Sequence, residues 1–159
     1  MFFSVVIPTY NRRPILEKCL QAMEHQVLRA DTQVENYEIV VVDDGSTDGT
    51  VQWLQTENFP HVTLYEQDHK GAAVARNLGV ERAIGDTIIF IDSDLVVLDG
   101  VLQHHADALT KHYTSQGNAR EFTYGRVVKT CNVEEPTSEP IKVSAYSQAY
   151  KATGNVAIA

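Results

Sequence analysis

The chain has 159 residues, 43% of them hydrophobic, which is enough to bury one core but too few for two comfortable domains. Its 21 acidic and 13 basic side chains give a net charge of −8, which opposes binding to a phosphate backbone, so nucleic acid is not an expected partner. Cys19 and Cys131 stand far apart without a second zinc ligand near either, so we expect free thiols and no disulfide framework.

The first part of the chain predicts two strand-helix units. A continuous apolar run, FFSVVIPT, predicts a buried strand over Phe2–Thr9, and the three-to-four apolar spacing of RPILEKCLQAMEHQ predicts a helix capped by Asn11. YEIVVVDDG then predicts a second strand, and STDGTVQWLQTE a second helix capped by Ser46 or Thr47.

The same alternation continues down the chain. HVTLYEQ and TIIFID predict strands on either side of the helix GAAVARNLGVERAIGD, whose small residues, Gly79 among them, suit close packing. Asp99 is the expected cap of the next helix, GVLQHHADALTKHY; EFTYGRVVK and ATGNVAIA then predict strands separated by the acidic loop NVEEPTSEPIK. Strands alternating with helices predict an α/β fold, a Rossmann-like and mostly parallel sheet with helices on both faces.

Three polar clusters follow predicted strands: PTYN after the first, DDGSTDGT after the second and DSD after the fourth. Because the carboxyl ends of parallel strands share one edge, where such sheets bind ligands, we expect the three clusters to meet. The carboxylates of the last cluster, Asp92 and Asp94, end a buried strand. Unpaired burial would cost them several kcal/mol, roughly, so they need water, partners or a cation.

Four segments carry a resemblance to a known family. SVVIPTYNR, VVVDDGSTDGT, GAAVARNLG and FIDSDL resemble, in order and separation, the donor-binding part of a family 2 glycosyltransferase with the GT-A fold. Each motif alone is a weak signal, but the four together at predicted strand ends are a strong one. The resemblance implies a nucleotide-diphosphate sugar donor, with uridine favoured, and inverting transfer to a sugar or lipid-linked acceptor that the sequence does not identify.

The resemblance also implies a divalent metal cofactor, Mn²⁺ or Mg²⁺. It makes Asp94 the metal ligand and lets Asp92 share the metal or contact the ribose or sugar. Such hard cations take oxygen ligands, commonly one or two carboxylates with phosphates and water, and they stabilise the charge that develops on a leaving diphosphate. The alternative is that both aspartates only cap a turn and the next helix.

Nucleoside contacts are implied at the first two strand ends. Asp44 is expected to contact the base, with Asp43 as the neighbouring candidate, because a carboxylate can accept from base N-H groups. Thr9 and the backbone around Pro8 lie on the adjacent strand end, where the family pattern also places nucleoside contacts. An ordinary turn into a capped helix is the alternative for Asp43 and Asp44, and a simple strand-ending Pro-Thr turn is the alternative for Pro8 and Thr9.

Two further pairs match the family pattern. Arg76 and Asn77 resemble its RN pair, and the arginine could hold aspartates or phosphates, although a surface arginine and a helix-face asparagine are an equal alternative. Gly154 and Asn155 resemble a GN pair and are expected to line the sugar pocket.

No general base is assigned. An inverting transfer needs a group that takes the proton of the acceptor hydroxyl, and the resemblance places it beyond Ala159. We therefore expect residues 1–159 to form a single nucleotide-sugar-binding domain that lacks its C-terminal acceptor part. A catalytically silent nucleotide-sugar-binding module is one alternative; a Rossmann-type oxidoreductase is another, disfavoured because PTYNRR stands where a G-x-G-x-x-G turn would be.

The sequence also bears on location. No basic leader precedes the strand-like FFSVVIP, and no apolar run reaches the roughly 18 residues of a membrane span. We expect a cytoplasmic protein, with peripheral association with a membrane left open.

Overall fold

Strands and helices alternate along the chain. The computed structural model describes residues 1–30, 34–116, 122–124 and 155–158. The strands are β1 Phe2–Thr9, β2 Asn36–Asp43, β3 Val62–Glu66, β4 Thr87–Ile91, β5 Phe122–Tyr124 and β6 Asn155–Ile158. The helices are α1 Arg13–Glu24, α2 Thr50–Thr56, α3 Ala72–Arg82 and α4 Val101–Gln116.

The strands form one sheet in the order β3-β2-β1-β4-β6-β5. β1 pairs in parallel with β2 and β4, and β2 pairs in parallel with β3, whereas β6 runs antiparallel to β4 and β5. Thr9 lies opposite Asp43 at the carboxyl ends of β1 and β2. The predicted mostly parallel α/β sheet is confirmed, and the ends of β1, β2 and β4 share one edge.

The larger core lies between one sheet face and helices α1, α2 and α4. Val5 and Ile7 of β1 belong to it, while Val6 points to the opposite face and joins a second core under α3. All three side chains are fully buried. Burial on both faces explains why β1 reads as an unbroken apolar run rather than an alternating one.

Helix α3 packs against the second sheet face through small residues. A Cβ atom at Gly79 would lie 2.3 Å from Val6 Cγ1, and Ala75 is completely buried. Only a residue without a side chain fits this close helix-sheet approach. The prediction of helices on both faces is therefore confirmed, and the short α3 stays close enough to present its first turns to the strand ends.

The predicted caps of α1 and α2 have another role. α1 follows Arg12 as its N-cap, without a side-chain cap, and α2 follows Gly49. Asn11 Oδ1 instead accepts the amide of Thr47 at 2.7 Å, and Ser46 Oγ accepts the amide of Asn11 at 2.8 Å. These residues join the loops after β1 and β2, because each side chain accepts a backbone amide of the other loop instead of capping a helix.

Asp48 supplies the capping that the sequence predicts for Asn11 and for Ser46 or Thr47. Its Oδ1 accepts the amide of Thr50 at 3.1 Å and its Oδ2 accepts the amide of Arg13 at 3.1 Å, so one carboxylate serves the first turns of α2 and α1. Burial opposes its charge, but the hydrogen bonds from Thr50 and Arg13 outweigh burial and lower the pKa of Asp48. The two loops are thereby held as one unit.

Other predicted boundaries also shift. α3 ends at Arg82 because Ala83 is extended, and the amide of Val101 at the start of α4 donates to Gln26 Oε1 at 3.0 Å rather than to Asp99. Of the predicted strand EFTYGRVVK only 122–124 are described. The acidic loop, Cys131 and Gly154 lie outside the described residues.

Candidate functional site

A cleft of about 410 Å³ opens at the shared carboxyl edge of the sheet. It is lined by side chains from the strand ends, from the loop after β3 and from α3: Pro8, Thr9, Tyr10, Arg12, Asp44, His69, Gly71, Ala72, Arg76, Asp92, Ser93 and Asp94. The structure thus brings together residues of all three polar clusters. The volume lies within the range of small-molecule sites, roughly 300–1,000 Å³.

Among the cleft aspartates that the sequence predicts as site residues, Asp94 is the most exposed. Its side chain is 51% exposed, and its Oδ2 lies 2.5 Å from Nη1 of Arg12, whose side chain is also 51% exposed. The amide of Leu95 donates to the carbonyl of Asp92 at 3.0 Å, which forms the turn that carries Asp94 away from the sheet. Asp94 therefore faces solvent and the cleft at once.

Asp92 is held more tightly than Asp94. Arg76 reaches from α3 and donates from Nη2 to Asp92 Oδ1, and the two side chains are 22% and 30% exposed. The Nε atom of Arg76 is buried and has no hydrogen-bond partner among the described residues. Asn77, the second member of the RN pair, is exposed on α3 and does not line the cleft.

Asp44 binds the loop that follows β3. Its side chain accepts from the Gln67 amide at 2.6 Å, from the Lys70 backbone at 2.8 Å and from the Gly71 backbone at 2.9 Å. Burial opposes its charge, but these hydrogen bonds and the nearby His69 outweigh it and lower the pKa of Asp44. Most of this carboxylate is therefore engaged within the chain, in a network that builds one wall of the cleft.

His69 and Tyr10 form an aromatic pair on that wall. Their rings stack with centroids 4.1 Å apart and planes 24° apart, and His69 Nδ1 lies 2.8 Å from Asp44 Oδ2. Sequence reasoning missed Arg12, Tyr10 and His69. The first two stand in or beside the PTYN cluster, and the polar run QDHK after the third strand was a signal that could have identified His69.

Asp43 and Thr9 leave polar atoms without partners. Asp43 Oδ2 accepts the amide of Ser46 at 2.8 Å, but Asp43 Oδ1 and Thr9 Oγ1 are buried with no hydrogen-bond partner among the described residues. The two residues are opposite each other where β1 and β2 end. Buried polar atoms are normally satisfied, so an internal water is the expected partner of these two; Thr9 lines the cleft, whereas Asp43 is not among the cleft residues.

The donor set suits a divalent cation that arrives with a phosphate ligand. Among residues 1–30, 34–116, 122–124 and 155–158, no group of three or more His, Cys, Asp or Glu side chains is arranged to hold a metal. Mg²⁺ and Mn²⁺ are commonly held by one or two carboxylates together with phosphates and water, and Asp94 with Asp92 meets that need. The residues fit such a cation, but they do not form an all-protein cage.

Only part of the predicted GN pair is described. Gly154 lies outside the described residues, and Asn155 begins β6 opposite Ile91, the last residue of β4. The backbone of Asn155 therefore lies beside the start of the segment that carries Asp92.

The fold agrees with comparisons to known proteins. The chain is 40% identical over 93 residues to the uncharacterized glycosyltransferase YibD of Escherichia coli, covering 57% of this chain and 25% of YibD. TarS of S. aureus in complex with UDP-GlcNAc is 26% identical with a TM-score of 0.63, covering 82% of this chain and 37% of TarS.

A third comparison is with a mannosyltransferase. The mannosyltransferase PcManGT of Pyrobaculum calidifontis, in complex with GDP-Man and Mn²⁺, is 29% identical with a TM-score of 0.57 and covers 74% of this chain and 33% of PcManGT. The chain thus spans only about a quarter to two fifths of these relatives. The sequence profile described as Glycosyl transferase family 2 matches residues 4–140, which sets the oxidoreductase alternative aside. The chain belongs to glycosyl transferase family 2.

Proposed function

We propose that the cleft binds a nucleotide-diphosphate sugar together with Mn²⁺ or Mg²⁺, and that the protein transfers the sugar with inversion to a sugar or lipid-linked acceptor. One observation carries the proposal: Asp94, half-exposed at the end of β4, stands in a cleft with the guanidinium groups of Arg12 and Arg76. Carboxylates beside arginines can accommodate both a cation and a diphosphate.

The proposed metal ligands are Asp94 and Asp92. When bound, the cation would neutralise charge on the diphosphate as it leaves the sugar. Asp94 is the first choice, because it is exposed and its partner is an exposed arginine, whereas Asp92 is held by Arg76. PcManGT, a relative of similar fold, has been solved in complex with Mn²⁺, which supports this choice of cation.

The proposed nucleoside end lies at β1 and β2. Thr9 lines the cleft and its Oγ1 has no partner among the described residues, so a small shift of the side chain would let it bond a ribose hydroxyl or a base N-H. Asp43 is buried and is not among the cleft residues, so its contact with the nucleoside, which stays part of the proposal, would need the end of β2 to move. We also propose that Asp44 contacts the nucleobase. The nucleobase would then donate to a carboxylate that already accepts three hydrogen bonds from the chain. Relatives bind UDP-GlcNAc or GDP-Man, and we propose a uridine donor.

Inversion requires the acceptor oxygen to attack opposite the leaving diphosphate, with a base to take its proton. We assign that base to no residue. The part of the chain that the structure describes contains no helix that is both long and apolar enough to cross a bilayer. The cytoplasmic location and the absence of nucleic acid as a partner stay predictions from the sequence.

Calorimetry with uridine diphosphate tests the proposal. Binding should tighten when Mn²⁺ is added, and Asp94→Asn should abolish that gain, because a neutral amide is a poorer ligand for a hard cation. Asp107→Asn is the matched control, since Asp107 is a surface acid that pairs with Arg29 away from the cleft. An equal gain in wild type and Asp94→Asn would reject Asp94 as a ligand, and no binding of the nucleotide by wild type would reject the proposal.

A further inference from the structure

We propose that Arg12 is an exchangeable counter-ion: it neutralises Asp94 while no cation is bound, and it moves to the donor diphosphate when a divalent cation takes Asp94. This inference rests on the proposed function and adds to it a specific residue with two partners. Arg12 was not among the residues that the sequence analysis assigned to the site.

The charged side chains of the cleft are paired with one another. Each of its three carboxylates faces a basic side chain of the same chain: Asp44 faces His69, Asp92 faces Arg76, and Asp94 faces Arg12. A metal that binds a paired carboxylate competes with the basic partner for its charge, and a guanidinium released in this way lies beside an incoming diphosphate. After the exchange, Asp94 is paired with the cation and Arg12 with the diphosphate, so neither side chain is left without an opposite charge beside it.

The three pairs differ in burial. The Asp44 side chain is only 3% exposed, and the Asp92 and Arg76 side chains are less than a third exposed. Arg12 and Asp94 are each 51% exposed, so solvent screens their attraction and the pair is inexpensive to open. Among these pairs, the one with Arg12 is therefore the best suited to exchange.

Arg12 has an anchored backbone and a long, half-exposed side chain. Its neighbours are anchored on both sides, since Asn11 bonds Ser46 and Thr47 and the amide of Arg13 donates to Asp48. Only the long side chain needs to move, so exchange requires no change in the loop. A guanidinium can bond two phosphate oxygens at once, which a lysine ammonium cannot do in the same planar geometry.

The neighbouring arginine provides a matched control. Arg13 lies over the Trp53 ring at 5.7 Å from its centroid and does not line the cleft. Arg13→Gln therefore makes the same charge change one residue away, on the other side of the loop. Arg12→Gln removes the charge at a half-exposed position and keeps much of the side-chain length, so the variant should fold.

Two binding measurements follow by calorimetry. With Mn²⁺ alone, Arg12→Gln should bind the metal more tightly than wild type by up to about fivefold, because Asp94 no longer has to leave a guanidinium. With uridine diphosphate in saturating Mn²⁺, the same variant should bind the nucleotide about tenfold more weakly, because a charged hydrogen-bond donor to the phosphates is lost. Arg13→Gln should match wild type in both measurements.

The opposite signs of the two effects are the test. If Arg12→Gln binds Mn²⁺ and nucleotide as wild type does, or weakens both, Arg12 is not a counter-ion that exchanges, while the proposed function stands as long as wild type shows metal-dependent nucleotide binding. If wild type itself binds no nucleotide with Mn²⁺, both the proposed function and this inference are wrong. Arg12→Lys should restore most of the metal behaviour and only part of the nucleotide affinity.

Discussion

Replacement of Asp44 by asparagine should weaken both the fold and the nucleotide site, because this carboxylate holds the loop that forms one cleft wall. Its oxygens receive hydrogen bonds from the side chain of Gln67 and from the amides of Lys70 and Gly71. Asparagine keeps one acceptor oxygen and replaces the other by an NH₂ group, which cannot accept a hydrogen bond. At least one donor of the loop then faces another donor.

The size of the effect follows from burial. Asp44 is 2% exposed, so water cannot easily replace a lost partner. A buried donor left without an acceptor costs about 1–3 kcal/mol, and we expect the free energy of unfolding to fall by that amount. For a chain of this length each kcal/mol corresponds to roughly 2–4 °C, so the melting temperature should fall by about 2–12 °C.

The pH dependence of the difference provides a sharper criterion. Although burial opposes the charge, the hydrogen bonds and His69 place the folded-state pKa of Asp44 below its ordinary value of 3.8. The charged carboxylate therefore stabilises the fold fully above that value, and the contribution is lost as the pH falls through the folded-state pKa. The deficit of Asp44→Asn should be complete near neutral pH and should shrink below pH 3.8.

Thermal and urea unfolding, run beside calorimetry with uridine diphosphate, measure both consequences. Asp68→Asn is the matched control, because Asp68 is an acid of the same loop that does not line the cleft, and it should change stability by less than about 0.5 kcal/mol. If Asp44→Asn unfolds like wild type and binds the nucleotide like wild type, the hydrogen bonds of the loop do not act as described. Weaker nucleotide binding at unchanged stability would instead favour a direct contact with the base.

Gly79→Ala would place a Cβ atom 2.3 Å from a valine methyl of β1 and should cost about 1–3 kcal/mol in urea unfolding, whereas Val80→Ala, on the exposed side of α3, should cost little. If both variants unfold alike, the close packing of α3 is not required. Burial raises the pKa of Cys19 to about 12, so its thiol should react slowly in the folded protein. In the variant Cys131→Ser, where Cys19 is the remaining thiol, a maleimide should react at least about a hundredfold more slowly with folded than with unfolded protein, and equal rates would contradict this. Asp48→Ala should lower the free energy of unfolding by about 1–2 kcal/mol, because the first turns of two helices lose a cap, and an unchanged melting temperature would refute that role.

The sequence predicts most of the fold, because burial leaves a simple pattern in it. β1 reads as an unbroken apolar run since Val5, Val6 and Ile7 are buried on two faces, and the three polar clusters meet because parallel strands end at one edge. The antiparallel direction of β6 is not predictable from ATGNVAIA, since a strand direction depends on the path of the chain between strands.

The partners of the polar side chains cannot be predicted in the same way. Asn11 and Ser46 look like helix caps locally, but Ser46 Oγ accepts the backbone amide of Asn11 and Asn11 Oδ1 accepts the backbone amide of Thr47, because two loops lie side by side. Likewise Asp44 appears beside a turn in the sequence, whereas three donors from a loop more than twenty residues away determine its role. The local sequence predicts that a polar residue suits these loop positions. It does not predict the hydrogen-bond partner, because that partner comes from a distant part of the chain.

The polar residues at this edge of the sheet differ in burial and in the number of bonds that they make within the chain. This difference ranks the expected effects of their mutation on stability and on ligand binding. Asp44 is buried and multiply bonded, so removing it should first change stability. Arg76 and Asp92 are intermediate, since they are partly exposed and bond each other. Arg12 and Asp94 are half-exposed and share a single ion pair, whose loss costs little, so substitutions there should change ligand binding while leaving the fold intact. If the Arg12–Asp94 pair opens to admit a cation and a diphosphate, as we propose, its half-exposed position suits the exchange, because a deeply buried pair would resist opening.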